Sequence, residues 1–409
     1  MLKAYRYRIY PNKKQKEFFA KTFGSCRFVW NKMLEEKLKA LENKEKIPRI
    51  TPAKYKEEYQ FLKEIDSLAL ANVQLNLEKA FKNWLKNPKH FGKPKFKKKK
   101  DKQSYTTNNQ GNTIKVDFQN NLLYLPKIKQ GIKIKLHRKF EGKIKSATIS
   151  KTTSGNYYVS ILVETQNNDN KPKEPQNKVC GIDLGVKTFA TITNDKGSYK
   201  VEHPKYLLKA EKRLKRLQKQ LSRKQKGSKN WEKLRKLLAR QHEYVANARK
   251  DFLHKLSKAI IDENQVVVVE DLSVKGLIKS FLSKHVSDSG WGMFLSYLEY
   301  KARWYGRTIL TVDRFYPSSK RCSHCGYIYS DMDLSVREWT CPICKTYHDR
   351  DENASKNLYR YGLDYLRKSR EGTARIQACG ECSDSGMVIT PVYESSFNEA
   401  GSSYLYKCG

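Results

Sequence analysis

Val179-Cys180-Gly181-Ile182-Asp183-Leu184-Gly185 is the stretch on which the fold turns. An apolar run interrupted by one glycine leads into a carboxylate and then a second glycine. The segment therefore reads as a buried strand whose acid emerges where the chain bends. Val186–Thr193 follows as its hairpin partner. Further on, Gln265–Glu270 holds four consecutive valines, the mark of a central strand buried on both faces, and again ends on a carboxylate. Arg307–Val312 is a third strand candidate. Between the first two runs a long helical pair, from about Leu207 to Ile261. Leu214, Leu217 and Leu221 mark one helix and Phe252, Leu256 and Ile260 the other, with Lys226-Gly227-Ser228-Lys229-Asn230 as the turn. Strands alternating with helices predict an open α/β sheet, which gathers its site at the carboxyl tips of its strands.

Upstream the pattern differs. Residues 1–10 alternate, with Tyr5, Tyr7 and Ile9 against Arg6 and Arg8, and Pro11-Asn12 ends that strand. Helical patterning extends from Lys13 to Trp84, with Phe18, Phe19, Phe23, Phe28 and Val29, then Leu68, Leu70, Val73, Leu77 and Phe81, as its apolar faces. Residues 112–164 switch to a period of two, as in Ile132, Ile134 and Leu136 or Val159, Ile161 and Val163, with Ser154-Gly155-Asn156 as a hairpin turn. A small antiparallel sheet or barrel is expected there. Residues 166–178, rich in Asn, Lys and Pro, read as a linker.

The chain has 409 residues, enough for several units, and carries 82 Lys plus Arg against 42 Asp plus Glu, a formal charge of +40. A compact state repels itself at such a charge unless a polyanion shares it, and nucleic acid is the partner expected. From residue 360 onward six basic residues balance six acidic ones, so the excess lies in residues 1–359. Its densest part is residues 85–102, where Pro88, Gly92 and Pro94 break periodicity and eight lysines fall between Lys89 and Lys102. A solvated loop is the plain reading of such a run. Phe91 and Phe96, set among the lysines, favour a nucleic-acid-facing loop, because aromatic rings offer stacking platforms between phosphate contacts. Lys93, Lys95, Lys97, Lys98, Lys99 and Lys100 are its candidate contacts.

The first residues contain no apolar signal core, and no run reaches the ~18 apolar residues of a membrane span. An intracellular, reducing location, the prokaryotic cytoplasm, is expected, where clustered cysteines mean metal rather than disulfides. Cys322-Ser-His-Cys325 and Cys341-Pro-Ile-Cys344 are two hooks of identical spacing. Each lets two sulfurs reach one ion at ~2.3 Å, which predicts a structural zinc. His324 and His348 are not needed as ligands and read as polar surface groups. Cys379-Gly-Glu-Cys382 has the same gap but no partner pair, and Cys26, Cys180 and Cys408 carry no functional signal.

Metal-dependent phosphodiester hydrolysis needs acidic ligands that hold two cations ~3.5–4 Å apart, and hard oxygen donors suit Mg²⁺. Asp183 and Glu270 at strand tips fit this need. So does the helix start Asp349-Arg350-Asp351-Glu352-Asn353-Ala354. Singly, each acid has an ordinary explanation: a turn residue, a strand end, a helix cap. Their joint order across a highly basic chain points to one catalytic centre.

These residues resemble a known family. Gly181-Ile-Asp183-Leu-Gly185-Val-Lys-Thr-Phe-Ala190, Val267-Val-Val-Glu270-Asp-Leu, Tyr316-Pro-Ser-Ser-Lys-Arg-Cys322-Ser-His-Cys325-Gly and Asp349-Arg-Asp351-Glu-Asn-Ala-Ser-Lys-Asn are similar to the RuvC-type signatures of TnpB (OrfB) proteins. These are encoded by insertion sequences and related to type V CRISPR effectors. Tyr5-Arg-Tyr-Arg-Ile-Tyr-Pro11, Gly24-Ser-Cys-Arg-Phe-Val-Trp-Asn31 and Phe91-Gly-Lys-Pro-Lys-Phe96 resemble other parts of that family, so the likeness covers roughly residues 1–360.

The resemblance implies an OB-like wedge β-barrel (1–12 and 103–165) with an inserted helical recognition domain (13–102) and the linker 166–178. An RNase H-like, RuvC-type nuclease part (179–315) would follow, with its helical insert at 205–261. A zinc-ribbon-like module (316–347), the last RuvC-like helix (348–362) and a flexible tail (363–409) would complete the chain. It further implies a guide RNA from the element's end, double-stranded DNA cleaved beside a short adjacent motif, and Asp183, Glu270 and Asp351 as ligands of two Mg²⁺ ions, replaceable by Mn²⁺ in vitro. Asp351 is preferred to Asp349 because the Asp-x-Asn-Ala part is the more constant one in the family. Two departures are visible, Lys345 where Gly is usual and Ser355 for a common Ala. Competing readings are a DNA transposase or recombinase, which also uses three carboxylates, and a zinc-containing nucleic-acid-binding regulator of the element.

Overall fold

The computed structural model describes residues 1–165, 174–272, 286, 288–333, 335–370 and the short strand 387–388. The chain divides into two units, Met1–Asp169 with Arg216–Glu243, and Asn170–Lys215 with Tyr244–Gly409.

The first unit opens with β1 (Leu2–Tyr10) and α1 (Lys13–Glu42). Asn12 starts that helix by a reciprocal cap: its side chain accepts the Gln15 N–H at 2.9 Å, and Gln15 Oε1 accepts the Asn12 N–H at 2.9 Å. The expected run of helix to Trp84 is broken. A short α2 (Pro52–Glu58) starts on a proline, and α3 (Ser67–Lys86) is capped by Asp66. Six further strands follow: β2 (Gln103–Asn108), β3 (Lys115–Asp117), β4 (Leu122–Leu125), β5 (Ile128–Lys135), β6 (Lys143–Lys151) and β7 (Tyr157–Glu164). With β1 they form a seven-stranded sheet in the order β2-β6-β7-β1-β5-β4-β3, every pair antiparallel. Alternate residues Val159, Ile161 and Val163 join Ile132, Ile134, Tyr7 and Ile9 in one core with Phe19, Met33, Leu70 and Leu77 of the helices.

The second unit is built on β8 (Asn177–Asp183), β9 (Thr188–Asn194) and β10 (Gly197–Glu202), followed by α4 (Tyr206–Ser222) and α5 (Lys229–Glu263). Next come β11 (Asn264–Glu270), α6 (Trp291–Tyr305) and β12 (Thr308–Val312). The hairpin β13 (Glu338–Thr340) and β14 (Tyr347–Asp349) leads to α7 (Arg350–Arg370), and β15 (Met387–Val388) closes the sheet. The order is β10-β9-β8-β11-β12-β15, with β8, β11 and β12 parallel. The valine run is covered on both faces. Val267 and Val269 pack with Cys180, Ile182, Leu253, Phe294 and Leu298, while Val266 and Val268 pack with Val179 and Leu358 of α7.

Two expected boundaries move. The last helix runs to Arg370 rather than 362, because Leu363, Tyr365 and Leu366 continue its apolar face. Gly362 inside it is a packing residue: a Cβ there would meet Val179 Cγ1 at 2.4 Å. Of the helical insert, Arg216–Glu243 counts with the first unit. Glu243 explains this, since it accepts hydrogen bonds from Ser154, from Asn156 Nδ2 at 2.9 Å and from the Tyr158 hydroxyl at 2.9 Å. Most of the expected tail, with Cys379, Cys382 and Cys408, lies outside the described residues.

Candidate metal centres

Register brings the strand-tip carboxylates together. Val269 pairs with Ile182 across the parallel β8–β11 ladder, so Asp183 and Glu270 are the next residues on neighbouring strands. The third acid arrives on α7, which lies against β8 where Gly181 has no side chain. A Cβ on Gly181 would stand 2.3 Å from the Tyr359 nitrogen and 2.4 Å from the Ser355 carbonyl oxygen. At the bend an added Cβ on Gly185 would stand 2.9 Å from the Thr188 carbonyl oxygen, so glycine lets the hairpin turn tightly there. Asp183, Glu270 and Asp351 all keep partial solvent access.

Hydrogen bonding gives the two aspartates of the helix start different surroundings. Asp349 Oδ1 accepts the N–H groups of Asp351 and Glu352 at 3.0 Å each, so Asp349 caps α7. Its other oxygen pairs with Lys200 Nζ at 2.7 Å. Burial opposes its charge, but the Lys200 contact and the capped N–H groups outweigh that and hold its pKa below the ordinary value. Asp351, in the first turn of the helix, is left to face the other two acids, with the Arg337 guanidinium of the hairpin region 3.8 Å away.

Electrostatically the negative charge of the centre outweighs the positive charge near it. Desolvation, then the charges of Glu270 and Asp351, push the Asp183 carboxyl well above its ordinary pKa, against weaker help from Arg350. Glu270 is also raised, by desolvation, although the Ser318 hydroxyl donates to it. Carboxylates at neighbouring strand tips, with a third acid close enough to act on Asp183, are oxygen donors of the kind that suit a divalent cation.

The four cysteines form a second centre. Their Sγ atoms all lie within 4.8 Å of one another, with Cys322–Cys344 at 3.6 Å and Cys325–Cys341 at 3.5 Å. Tetrahedral Zn–S bonds of ~2.3 Å require S···S separations of ~3.8 Å, so the set fits zinc. The two hooks repeat one backbone pattern. Cys322 N–H donates to Tyr327 O at 2.7 Å and Gly326 N–H to Cys322 O at 3.0 Å, while Cys341 N–H donates to Thr346 O at 2.9 Å and Lys345 N–H to Cys341 O at 2.9 Å. Lys345 takes the place of Gly326 and adopts its left-handed backbone, at φ +56° against +82°, which is why glycine suits that position. The other departure, Ser355, is fully buried and meets the Thr193 hydroxyl at 2.7 Å.

One expectation needs correction. His348 is no surface group: it is buried, its Nε2 lies 3.1 Å from Cys322 Sγ, and its ring sits against Trp339, centroids 4.7 Å apart. Desolvation lowers the pKa of the ring, which favours its neutral form beside the sulfur. His324 is exposed. In the basic loop Lys93, Lys95, Lys97, Lys98, Lys99 and Lys100 are all exposed, and the Lys97 ammonium lies 3.6 Å from the centre of the Trp30 ring, where desolvation lowers its pKa. Asn31 Oδ1 accepts the Lys97 N–H at 2.8 Å, and Trp30 Nε1–H donates to Lys95 O at 3.0 Å, so α1 pins this loop. The sequence reading passed over Lys200, Arg337 and Ser318; only the Asn353/Asn357 pair, four apart on one helix face, left a pattern to find.

Comparison with known proteins agrees with this picture. Residues 160–280 match the OrfB_IS605 family model, described as a probable transposase; residues 291–358 match a Cas12f1-like TNB domain; and residues 1–46 match a helix-turn-helix domain. A Streptomyces pristinaespiralis protein carrying the name RNA-guided DNA endonuclease is 35% identical over 387 residues, 91% of this chain and 93% of that one. InsQ of Escherichia coli K12, similarly named, is 30% identical over 408 residues, 94% and 96% of the two chains. Among solved structures, Cas12f1 in complex with sgRNA and target DNA matches at a TM-score of 0.56 and 16% identity, over 85% of this chain and 83% of that one. At that identity the likeness is one of fold. No helix among the described residues is long and apolar enough to cross a membrane.

Proposed function

The chain belongs to the OrfB (TnpB) family of RNA-guided DNA endonucleases, and on that premise we propose that it cleaves double-stranded DNA at Asp183, Glu270 and Asp351 under the direction of a guide RNA from its own element. The observation that carries this reading is the gathering of three carboxylates at one sheet end, with Asp183 pushed toward protonation by burial first and then by the charges of the other two. Such a set is poorly stable alone and well suited to cations. When bound, two Mg²⁺ ions would activate water and stabilise the leaving oxygen of the phosphodiester. Glu270 is held in one orientation by Ser318, Asp351 is presented by a helix whose end Asp349 caps, and Arg337 stands near with charge for a phosphate.

In this reading the second unit is an RuvC-type, RNase H-like nuclease with a zinc ribbon at 316–347. The sheet of residues 1–12 and 103–165 serves as an OB-like wedge barrel, and residues 13–102 serve as the recognition part. Lys93, Lys95, Lys97, Lys98, Lys99 and Lys100 would meet phosphates, with Lys97 also packed over the Trp30 ring. Base pairing would read the target, leaving the protein to read the adjacent motif and backbone shape.

The test is to purify the protein with its element DNA expressed, sequence the RNA that accompanies it, and challenge the complex with a plasmid library of randomised flanks. A discrete RNA and Mg²⁺-dependent, guide-directed breaks beside one motif are expected. Absence of any bound RNA, or cleavage that survives Asp183→Ala and Asp351→Ala alike, would overturn the reading; rejoined ends would indicate a recombinase.

A further inference from the structure

The four-cysteine site and the carboxylates are joined by a short chain of buried hydrogen bonds. Ser318, itself buried, donates its hydroxyl to Glu270 Oε1. Its carbonyl oxygen accepts Asn357 Nδ2–H at 2.8 Å, and the same amide donates to Arg321 O at 2.6 Å. One turn earlier on α7, Asn353 Nδ2 donates to Arg321 O at 2.7 Å and to Ser319 O at 3.3 Å, while its Oδ1 accepts the Ser323 N–H at 2.9 Å. Asn353 and Asn357 are 1% and 2% exposed, so these amides have no water to turn to. Two side chains therefore fix the backbone of residues 318–323, the segment that carries Cys322 at one end and the hydroxyl on Glu270 at the other. Asp351 stands two residues before Asn353 on the same helix.

We propose that Ser318, Asn353 and Asn357 are positioning residues forming a strut, which ties the first cysteine hook to Glu270 and to the helix of Asp351. None of the three need touch substrate. Their amides and hydroxyl hold the carboxylate oxygens in the orientation that takes up divalent ions, and the folded hook is the fixed end from which they do so. This rests on the reading of the three carboxylates as metal ligands. A partner that orients a ligating carboxylate commonly governs metal affinity by about 10–100-fold.

The experiment uses the full-length protein purified with its guide RNA. Mn²⁺ binding is followed by electron paramagnetic resonance, with the Asp183→Ala complex, which carries the same RNA, as the background. Zinc content, RNA content and target binding are measured alongside. Ser318→Ala is expected to weaken the Asp183-dependent Mn²⁺ binding by about tenfold and to raise the Mn²⁺ concentration for half-maximal cleavage by a similar factor. Zinc and RNA should be retained. Ser318→Thr, which keeps the hydroxyl, should restore affinity toward wild type, and Asn357→Asp, which keeps shape but loses the donor, should behave as Ser318→Ala. Wild-type Mn²⁺ affinity in Ser318→Ala, or equal loss in Ser318→Thr and Ser318→Ala, overturns the strut. If Asp183→Ala itself binds Mn²⁺ like wild type, the carboxylate reading falls instead.

Discussion

The four-cysteine site and the three-carboxylate centre lie in the same unit, yet they are assembled by opposite means. Each cysteine hook is local: six residues, two backbone hydrogen bonds and one left-handed residue place both sulfurs, and the pattern is simply used twice. The carboxylate centre has no local pattern. It exists because the β8–β11 register sets Asp183 beside Glu270, and because Gly181 lets α7 approach closely enough to deliver Asp351. One site is specified by spacing, the other by packing. A change in spacing chemistry should therefore damage the first site at its own residues, whereas the second should be breakable from residues that bear no charge.

The largest effect expected is on chemistry. Asp183→Ala should lower guide-directed cleavage by about a thousandfold or more, with bound RNA unchanged, as measured in single-turnover assays. Next comes the local site. Structural zinc binding is worth about 10–16 kcal/mol in small modules, so Cys341→Ser should release zinc and open residues 316–347 to proteolysis while the six-stranded sheet stays protected.

Gly181→Ala sharpens the contrast, since it adds only a methyl group. That methyl collides with the backbone of α7, and overpacking of this kind costs about 1–3 kcal/mol. Thermal unfolding should show the loss, and cleavage should fall beyond what stability explains, because Asp351 is displaced.

A smaller effect has the opposite sign. The pKa of Asp183 is raised on folding, so without cations the folded state holds that proton more tightly than the unfolded one. Stability then declines as pH rises above the ordinary carboxylate value of about 3.9. Asp183→Asn should therefore raise the melting temperature of the cation-free protein at neutral pH and flatten that decline, while adding Mg²⁺ should stabilise the wild type only. The smallest change expected is at Lys345. Relief of its left-handed backbone by Lys345→Gly should stabilise the second hook by about 1 kcal/mol, visible as slower zinc loss to a chelator and no change in cleavage.

The same contrast explains how far the sequence could be read. The hooks, the buried strands of Val179–Asp183 and Gln265–Glu270 and the helix bearing Leu358 all announce themselves by period or spacing. Asp349 and Asp351 could not be told apart by that means alone, because which of them caps the helix depends on Lys200 and on two amide groups in space. His348 was misread as a surface group since its burial comes from Trp339, on the opposite strand of the hairpin. Lys97 looked like its neighbours, and only the Trp30 ring distinguishes it. Ser318 is silent for a similar reason: a serine reveals its role only through the atom it bonds.

The central claim is that Asp183, Glu270 and Asp351 act as one centre, and the most direct measurement is the cleavage rate of each single alanine variant set against the triple variant. Groups that hold the same ions fail together, so each single loss should nearly equal the loss of all three. Single losses that are modest and multiply to give the triple would contradict it.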